Sequence, residues 1–153
     1  MKIAIACDHG GFPLKDLVKD VISASGEEVI DLGTDSDDSV DYPDYAYKAI
    51  ELFLNRGCDR IVLLCGTGIG MSICANRVEG LRGTLCHDAY TARMARLHND
   101  SNCLVVGGRV TGPAIASEIV ETWLKTGFEG GRHQARLDKI EGLKKDMPRS
   151  SKA

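Results

Sequence analysis

The sequence predicts an α/β fold, one domain built on a five-stranded parallel sheet with helices on both faces, and three observations predict it. Short apolar runs alternate strictly with longer stretches of helical periodicity, the pattern of right-handed strand–helix–strand units. The run Ile61 to Leu64 is four consecutive large apolar residues, too short for a helix and not alternating, as in a strand buried on both faces. At 153 residues the chain has the size of one domain with one core, and neither a repeat nor a composition break marks a second.

The elements follow in order. Lys2 to Cys7 reads as the first strand and Asp8-His9-Gly10-Gly11 as its exit turn. Pro13 suits the first turn of a helix whose stripe is Leu14, Leu17, Val18, Val21 and Ile22, stopped by Gly26. Val29 to Leu32 is a second short strand, and the acidic stretch Thr34 to Asp44 reads as a loop, within which Tyr42, fixed by Pro43, can wall a pocket. Ala46, Ile50, Phe53 and Leu54 mark a second helix, closed by Gly57. After the central strand come Gly66, Gly68 and Gly70, then a helix from Met71 to Asn76. Leu81 to Cys86 is a fourth strand weakened by Gly83, Ala89 to Leu97 a helix, and Cys103 to Val106 a fifth strand followed by Gly107-Gly108-Arg109. Ile115, Ile119, Val120, Trp123 and Leu124 stripe the next helix, and Leu137, Ile140 and Leu143 a last one that includes Arg132, His133 and Arg136. The globular domain is expected over residues 1–145, with a polar tail at 146–153.

This order places Asp8-His9, Cys65 with its glycines, and Gly107-Gly108-Arg109 after strands, on the carboxyl edge where ligands bind in open α/β sheets. Close-set glycines let backbone N–H groups approach an anion, and a helix N-terminus adds partial positive charge. The loop is neither a P-loop, because Met71-Ser72 follows Gly70, nor a dinucleotide fingerprint, because its pattern is G-x-G-x-G. Asp88 nevertheless stands about 20 residues on, where a ribose-binding acid would, so a nucleotide reading stays open. Cys65 ahead of three glycines is the leading catalytic candidate, against a plain core thiol. His98, beside Asn99 and Asp100, is either a helix C-terminal cation or a working residue. Arg132 and Arg136, one turn apart, together with Arg109 could clamp a phosphate, or could simply be solvated. No cluster has metal-ligand spacing, so no metal is expected. The net charge of -3 leaves no nucleic-acid footprint. No apolar run approaches the ~20 residues of a membrane span, and six cysteines without a C-x-x-C pair suit reduced thiols in a cytoplasmic protein.

Taken together, Asp8-His9-Gly10-Gly11, Asp41-Tyr42-Pro43, Cys65-Gly-Thr-Gly-Ile-Gly-Met71, Ala75-Asn76-Arg77, His98-Asn99-Asp100, Gly107-Gly108-Arg109 and Gly130-Gly131-Arg132-His133 resemble the ribose-5-phosphate isomerase B family, which includes the galactose-6-phosphate isomerase subunits. The resemblance runs from Met1 to about Leu143 and implies a Rossmann-like α/β/α sandwich, no cofactor, and a homodimer (or a tetramer) with sites at the subunit interface. Within that resemblance Cys65 is the base, His98 opens the sugar ring, and Thr67 relays a proton. Gly66, Gly68, Ile69 and Gly70 belong to the anion-hole loop. Asp8, Tyr42 and Asn99 would contact substrate hydroxyls, and His9, Arg109, Arg132 and Arg136 its phosphate. Some members carry a glutamate base at the place of Met71, so the chain resembles the cysteine type. Ile69 stands where asparagine is frequent and Ser101 where alanine is.

The chemistry these roles imply is aldose–ketose isomerisation of ribose 5-phosphate through an enediolate, with the phosphate anchoring the far end. A hexose 6-phosphate such as galactose or allose 6-phosphate is the alternative substrate, and a non-catalytic phosphate-binding module the alternative class. Since the resemblance implies sites at the subunit interface, His98 and Asn99 of one subunit are expected to complete the site that holds Cys65 of the other.

Overall fold

The structure, a computed structural model, describes residues 1–146. Residues 147–153, nearly all of the expected polar tail, lie outside it. Among the described residues strands and helices alternate as far as α5, and a further helix follows: β1 (Lys2–Cys7), α1 (Phe12–Ala24), β2 (Glu28–Asp31), α2 (Tyr42–Leu54), β3 (Arg60–Cys65), α3 (Ile69–Asn76), β4 (Gly83–Leu85), α4 (Ala89–Asn99), β5 (Cys103–Gly107), α5 (Pro113–Lys125) and α6 (Arg132–Asp146). The strands form one parallel sheet in the order β2-β1-β3-β5-β4, so β3 is central, as its unbroken apolar run requires.

Side chains alternate between the two faces of each strand, and both faces are buried. Ile3, Ile5, Val62, Leu64, Leu104 and Val106 pack with Val18, Ile22, Ile119 and Trp123, which places α1, α4 and α5 on one face. Ala4, Ala6, Ile61, Leu63, Cys65 and Val105 pack with Ala46, Ile50, Met71 and Ala75, which places α2 and α3 on the other. Cys65 therefore points toward the α2–α3 layer. Pro13, Pro43 and Pro113 each sit in the first turn of a helix, where the missing N–H is no loss.

Several boundaries differ from the sequence reading. Helix α2 starts at Tyr42, so the supposed loop ends three residues early: Pro43 initiates the helix and does not merely stiffen a turn. The fourth strand shrinks to Gly83–Leu85, and α3 begins at Ile69, with Gly68 as N-cap at φ +81°, a left-handed conformation that disfavours any side chain. The acidic loop after β2 is pinned from below. Lys15, almost fully buried, donates to the Thr34 carbonyl at 2.8 Å and to Asp35 at 3.0 Å, and pairs with Asp31 at 3.3 Å.

Candidate active site

Three turns at the carboxyl ends of β1, β3 and β5 interlock through backbone. Asp8 N–H donates to the Leu64 carbonyl at 3.2 Å, Gly108 N–H to the Cys65 carbonyl at 2.7 Å, and Arg109 N–H to the Gly66 carbonyl at 2.9 Å. The approach is so close that a Cβ on Gly10 would lie 2.7 Å from Gly66 N, and one on Gly108 would lie 2.5 Å from the Gly10 carbonyl oxygen. The buried Asp8 closes its own turn by accepting the N–H groups of Gly10 and Gly11 at 2.9 and 3.0 Å.

Cys65 sits at the centre of this junction, with its sulfur accepting the Gly68 N–H at 3.2 Å. Thr67 is exposed, and its hydroxyl oxygen accepts the Ile69 N–H at 3.3 Å. The Tyr42 ring packs against Gly70, where a Cβ would come within 2.6 Å of it, so Tyr42 stands beside the glycine loop. The Arg109 side chain runs beside Gly66. His9 Nδ1 accepts the Val40 N–H at 3.2 Å, which fixes its ring and leaves Nε2 as the donor of the neutral form. The sequence-predicted residues Asp8, His9, Tyr42, Cys65, Gly66, Thr67, Gly68, Ile69, Gly70 and Arg109 thus share one edge.

The other five cysteines are free core or half-buried thiols. Burial pushes the Cys7 thiol up to about 11 and raises those of Cys58, Cys74, Cys86 and Cys103, so each stays protonated at neutral pH. Asp88 caps α4, accepting the Thr91 N–H at 2.7 Å. That bond is the main reason its carboxyl lies below the usual range, and it leaves Asp88 a helix-capping role in place of the ribose contact considered from the sequence.

His98, Asn99, Arg132 and Arg136 lie at the opposite edge. Helix α4 runs back from the carboxyl end of β4, so its last turn reaches the amino ends of β3 and β5, where Ile61 N–H meets the Asn102 carbonyl at 3.0 Å. Register pairs Ile61 with Cys103 and Cys65 with Gly107, so the sheet separates the two groups by four residue steps, roughly 13 Å of strand rise. His98 and the late arginines therefore do not reach the carboxyl edge of their own chain: the direction of α4 carries them away from it.

The amino-edge group is built from side chains. Asp100, left-handed at φ 42°, divides its carboxylate between Arg96 (2.8 Å) and Arg82 (2.8 Å). Arg82 Nε also donates to the Asn99 carbonyl at 3.1 Å. The His98 ring stacks on His133 with centroids 4.1 Å apart and planes 6° apart. A cleft of about 340 Å³ lies alongside, lined by Asn99, Arg82, Leu137 and Ile140 among others. Among the described residues, His98, Glu129 and His133 bring ligand-type atoms within 4.8 Å, a trio that sequence spacing hid. Nitrogen lone pairs lie in the ring planes, and two nearly parallel stacked rings do not aim theirs at one ion. Ser101, the departure from family pattern, is fully buried and accepts the Trp123 indole N–H at 3.2 Å, so the hydroxyl satisfies a group that alanine could not. Sequence reasoning gave His133 no role and missed the Arg82–Asp100–Arg96 bridge; only the motifs His98-Asn99-Asp100 and Gly130-Gly131-Arg132-His133 pointed near them.

Residues 3–140 match the model of the Ribose/Galactose Isomerase family. The chain is 44% identical over 142 residues to ribose-5-phosphate isomerase B of Escherichia coli, covering 93% of this chain and 95% of that one. It is 40% identical over 141 residues to a D-erythrulose-4-phosphate isomerase of Pectobacterium atrosepticum, covering 92% and 93%. Among solved structures, ribose-5-phosphate isomerase B of Clostridium thermocellum superposes with a TM-score of 0.91 at 50% identity, covering 95% of this chain and 98% of that one. No helix among the described residues is long and apolar enough to cross a membrane.

Proposed function

The chain belongs to the ribose/galactose isomerase family and is a sugar phosphate isomerase, and we propose that it interconverts ribose 5-phosphate and ribulose 5-phosphate by the cysteine-base route without a cofactor. The observation that supports this reading most is the seat of Cys65: a sulfur holding a backbone N–H bond from Gly68, between three interlocked turns, at the N-terminus of α3. Such a sulfur can hold negative charge, take the C2 proton of an open-chain aldose and return it to C1. The amides from Gly66 to Gly70 would meet charge on the substrate oxygen as it develops, and Thr67 would pass protons between O1 and O2. His98 would open the furanose, His9, Arg109, Arg132 and Arg136 would hold the phosphate, and Asp8, Tyr42 and Asn99 would contact its hydroxyls.

These groups can meet only if two copies combine, the amino edge of one facing the carboxyl edge of the other. Large apolar side chains left exposed on and beside the Cys65 half, including Ile69 (55%), Ile73 (53%) and Val110 (60%), support a covered face there. We place the site in a homodimer on those grounds.

The test is direct. Purified protein incubated with ribose 5-phosphate and no added cofactor should generate ketose, and inorganic phosphate should compete. A panel of four-, five- and six-carbon aldose phosphates fixes the preferred length. Higher kcat/KM for a hexose 6-phosphate or a tetrose 4-phosphate would replace the pentose assignment, and no turnover with any of them would favour a binding module.

A further inference from the structure

His133 is the buried histidine at the amino-edge half-site to which the proposed reaction gives no part. It is 3% exposed. Its Nε2 accepts the Arg132 Nε–H at 3.4 Å, and an accepting imidazole nitrogen carries no proton, so His133 is neutral with its hydrogen on Nδ1. Its face covers His98 at 4.1 Å, nearly parallel. The charged and titratable groups facing it are His98 from α4, Glu129 from the loop before α6, with a carboxylate oxygen 3.7 Å from Nε2, and Arg132 and Arg136 from its own helix. Burial, His98 and the two arginines hold the ring below the ordinary histidine range, against the pull of Glu129.

We infer that His133 is a positioning residue: a neutral platform that fixes the His98 ring by stacking while its Nε2 holds the Arg132 guanidinium, so that one side chain sets both the ring-opening group and part of the phosphate clamp. This rests on the ring-opening and clamp roles given above to His98 and Arg132. When His98 takes up a proton, a neutral π-face beneath it is attractive, whereas a second imidazolium at 4.1 Å would repel it. The arrangement also makes the two functions separable. The stack acts on His98, the acceptor nitrogen on Arg132, and they are different parts of one ring.

Two substitutions split them. His133→Gln keeps an acceptor near Arg132 but removes the ring. His133→Phe keeps a stacked ring of similar volume but removes the acceptor. The first should lower kcat for ribose 5-phosphate about tenfold with KM little changed, because a displaced catalytic group costs rate. The second should raise KM several-fold with kcat little changed, the loss of binding shared by ground and transition states. A further readout isolates the ring-opening step. Ribulose 5-phosphate cannot close a furanose because O5 bears the phosphate, so exchange of its C1 hydrogen with deuterated water needs enolisation and no ring opening. His133→Gln should leave that exchange within about twofold of the parent. Parental kcat and KM in both variants, or equal losses of kcat, KM and exchange in both, would overturn the inference; the latter is what a merely structural role would give. If only one variant folds, its own split decides. His98→Ala is the control for the underlying reading. Parental turnover of ribose 5-phosphate by His98→Ala would defeat the ring-opening role itself. A crippled His98→Ala beside parental His133 variants would defeat the positioning claim alone.

Discussion

At the carboxyl edge the candidate residues are held by backbone: glycine turns exchange N–H and carbonyl groups at 2.7 to 3.2 Å, and little room remains for a Cβ at Gly10 or Gly108. At the amino edge they are held by side chains: Arg82 and Arg96 share Asp100, Arg132 reaches His133, and His133 stacks on His98. A backbone-built half-site is rigid and tolerates almost no added volume, which suits a loop that must present amides to a developing charge. A side-chain-built half-site can be altered one contact at a time. The difference predicts sharp failure on one edge and graded loss on the other.

The largest expected effect is on Cys65. Cys65→Ala should fold, since a single buried sulfur is lost, yet lose at least ~10³-fold in turnover if the sulfur is the base. Near-parental kcat in a folded protein would remove Cys65 from the chemistry. Next is Gly108→Ala, whose new methyl would meet the Gly10 carbonyl oxygen, a backbone atom, at 2.5 Å. Overpacking of that kind should cost about 1–3 kcal/mol in denaturant unfolding and impair activity through the shifted turns. A neutral effect on both would mean the three turns are not locked together. On the other edge, Arg132→Ala and Arg136→Ala should each raise KM by roughly tenfold, the scale of a lost charge-assisted contact, with a smaller change in kcat. Unchanged KM in both would move the clamp elsewhere.

The contrast between edges also explains what could be read from the sequence. The fold, and the placing of Asp8, Cys65 with its glycines and Arg109 on the carboxyl edge, follow from local patterns: an apolar run, then glycines, then a helix; Thr67, Ile69 and the phosphate role of His9 came from the resemblance. The start of α2 was hidden because Tyr42-Pro43 reads equally as a stiff turn and as a first helical turn. Asp88 stood at a suggestive spacing but is a cap, a role that residue type alone allows as readily. His98, Arg132 and Arg136 could be named from resemblance, yet their distance from Cys65 depends on which way α4 runs across the sheet. The pairing of His98 with His133 is a contact between different helices, and nothing local encodes it.

A smaller effect tests the support beneath the carboxyl edge. The Asp31 carboxyl lies below its ordinary value: burial alone would raise it, but bonds from Lys19, the Gly33 N–H and Lys15 outweigh that. A depressed carboxyl stabilises the fold above its unfolded pKa of about 3.9, and that contribution disappears as pH falls through the lower folded value. Asp31→Asn should therefore be less stable than the parent at pH 7, with the gap closing as pH falls below the unfolded value of about 3.9 and through the lower folded one. A gap that stayed constant with pH would show that Asp31 contributes packing and no charge interaction.

The central claim is that the two edges become one site only between two chains, and a mixing experiment tests it most directly. Cys65→Ala and His98→Ala proteins, each inactive alone, are combined under conditions where subunit exchange is verified by mass. A mixed dimer then contains one site with both lesions and one with neither, so activity should return to as much as half the parental value per heterodimer. If exchange is complete and no activity returns, Cys65 and His98 do not serve each other across the interface, and the split-site account is wrong.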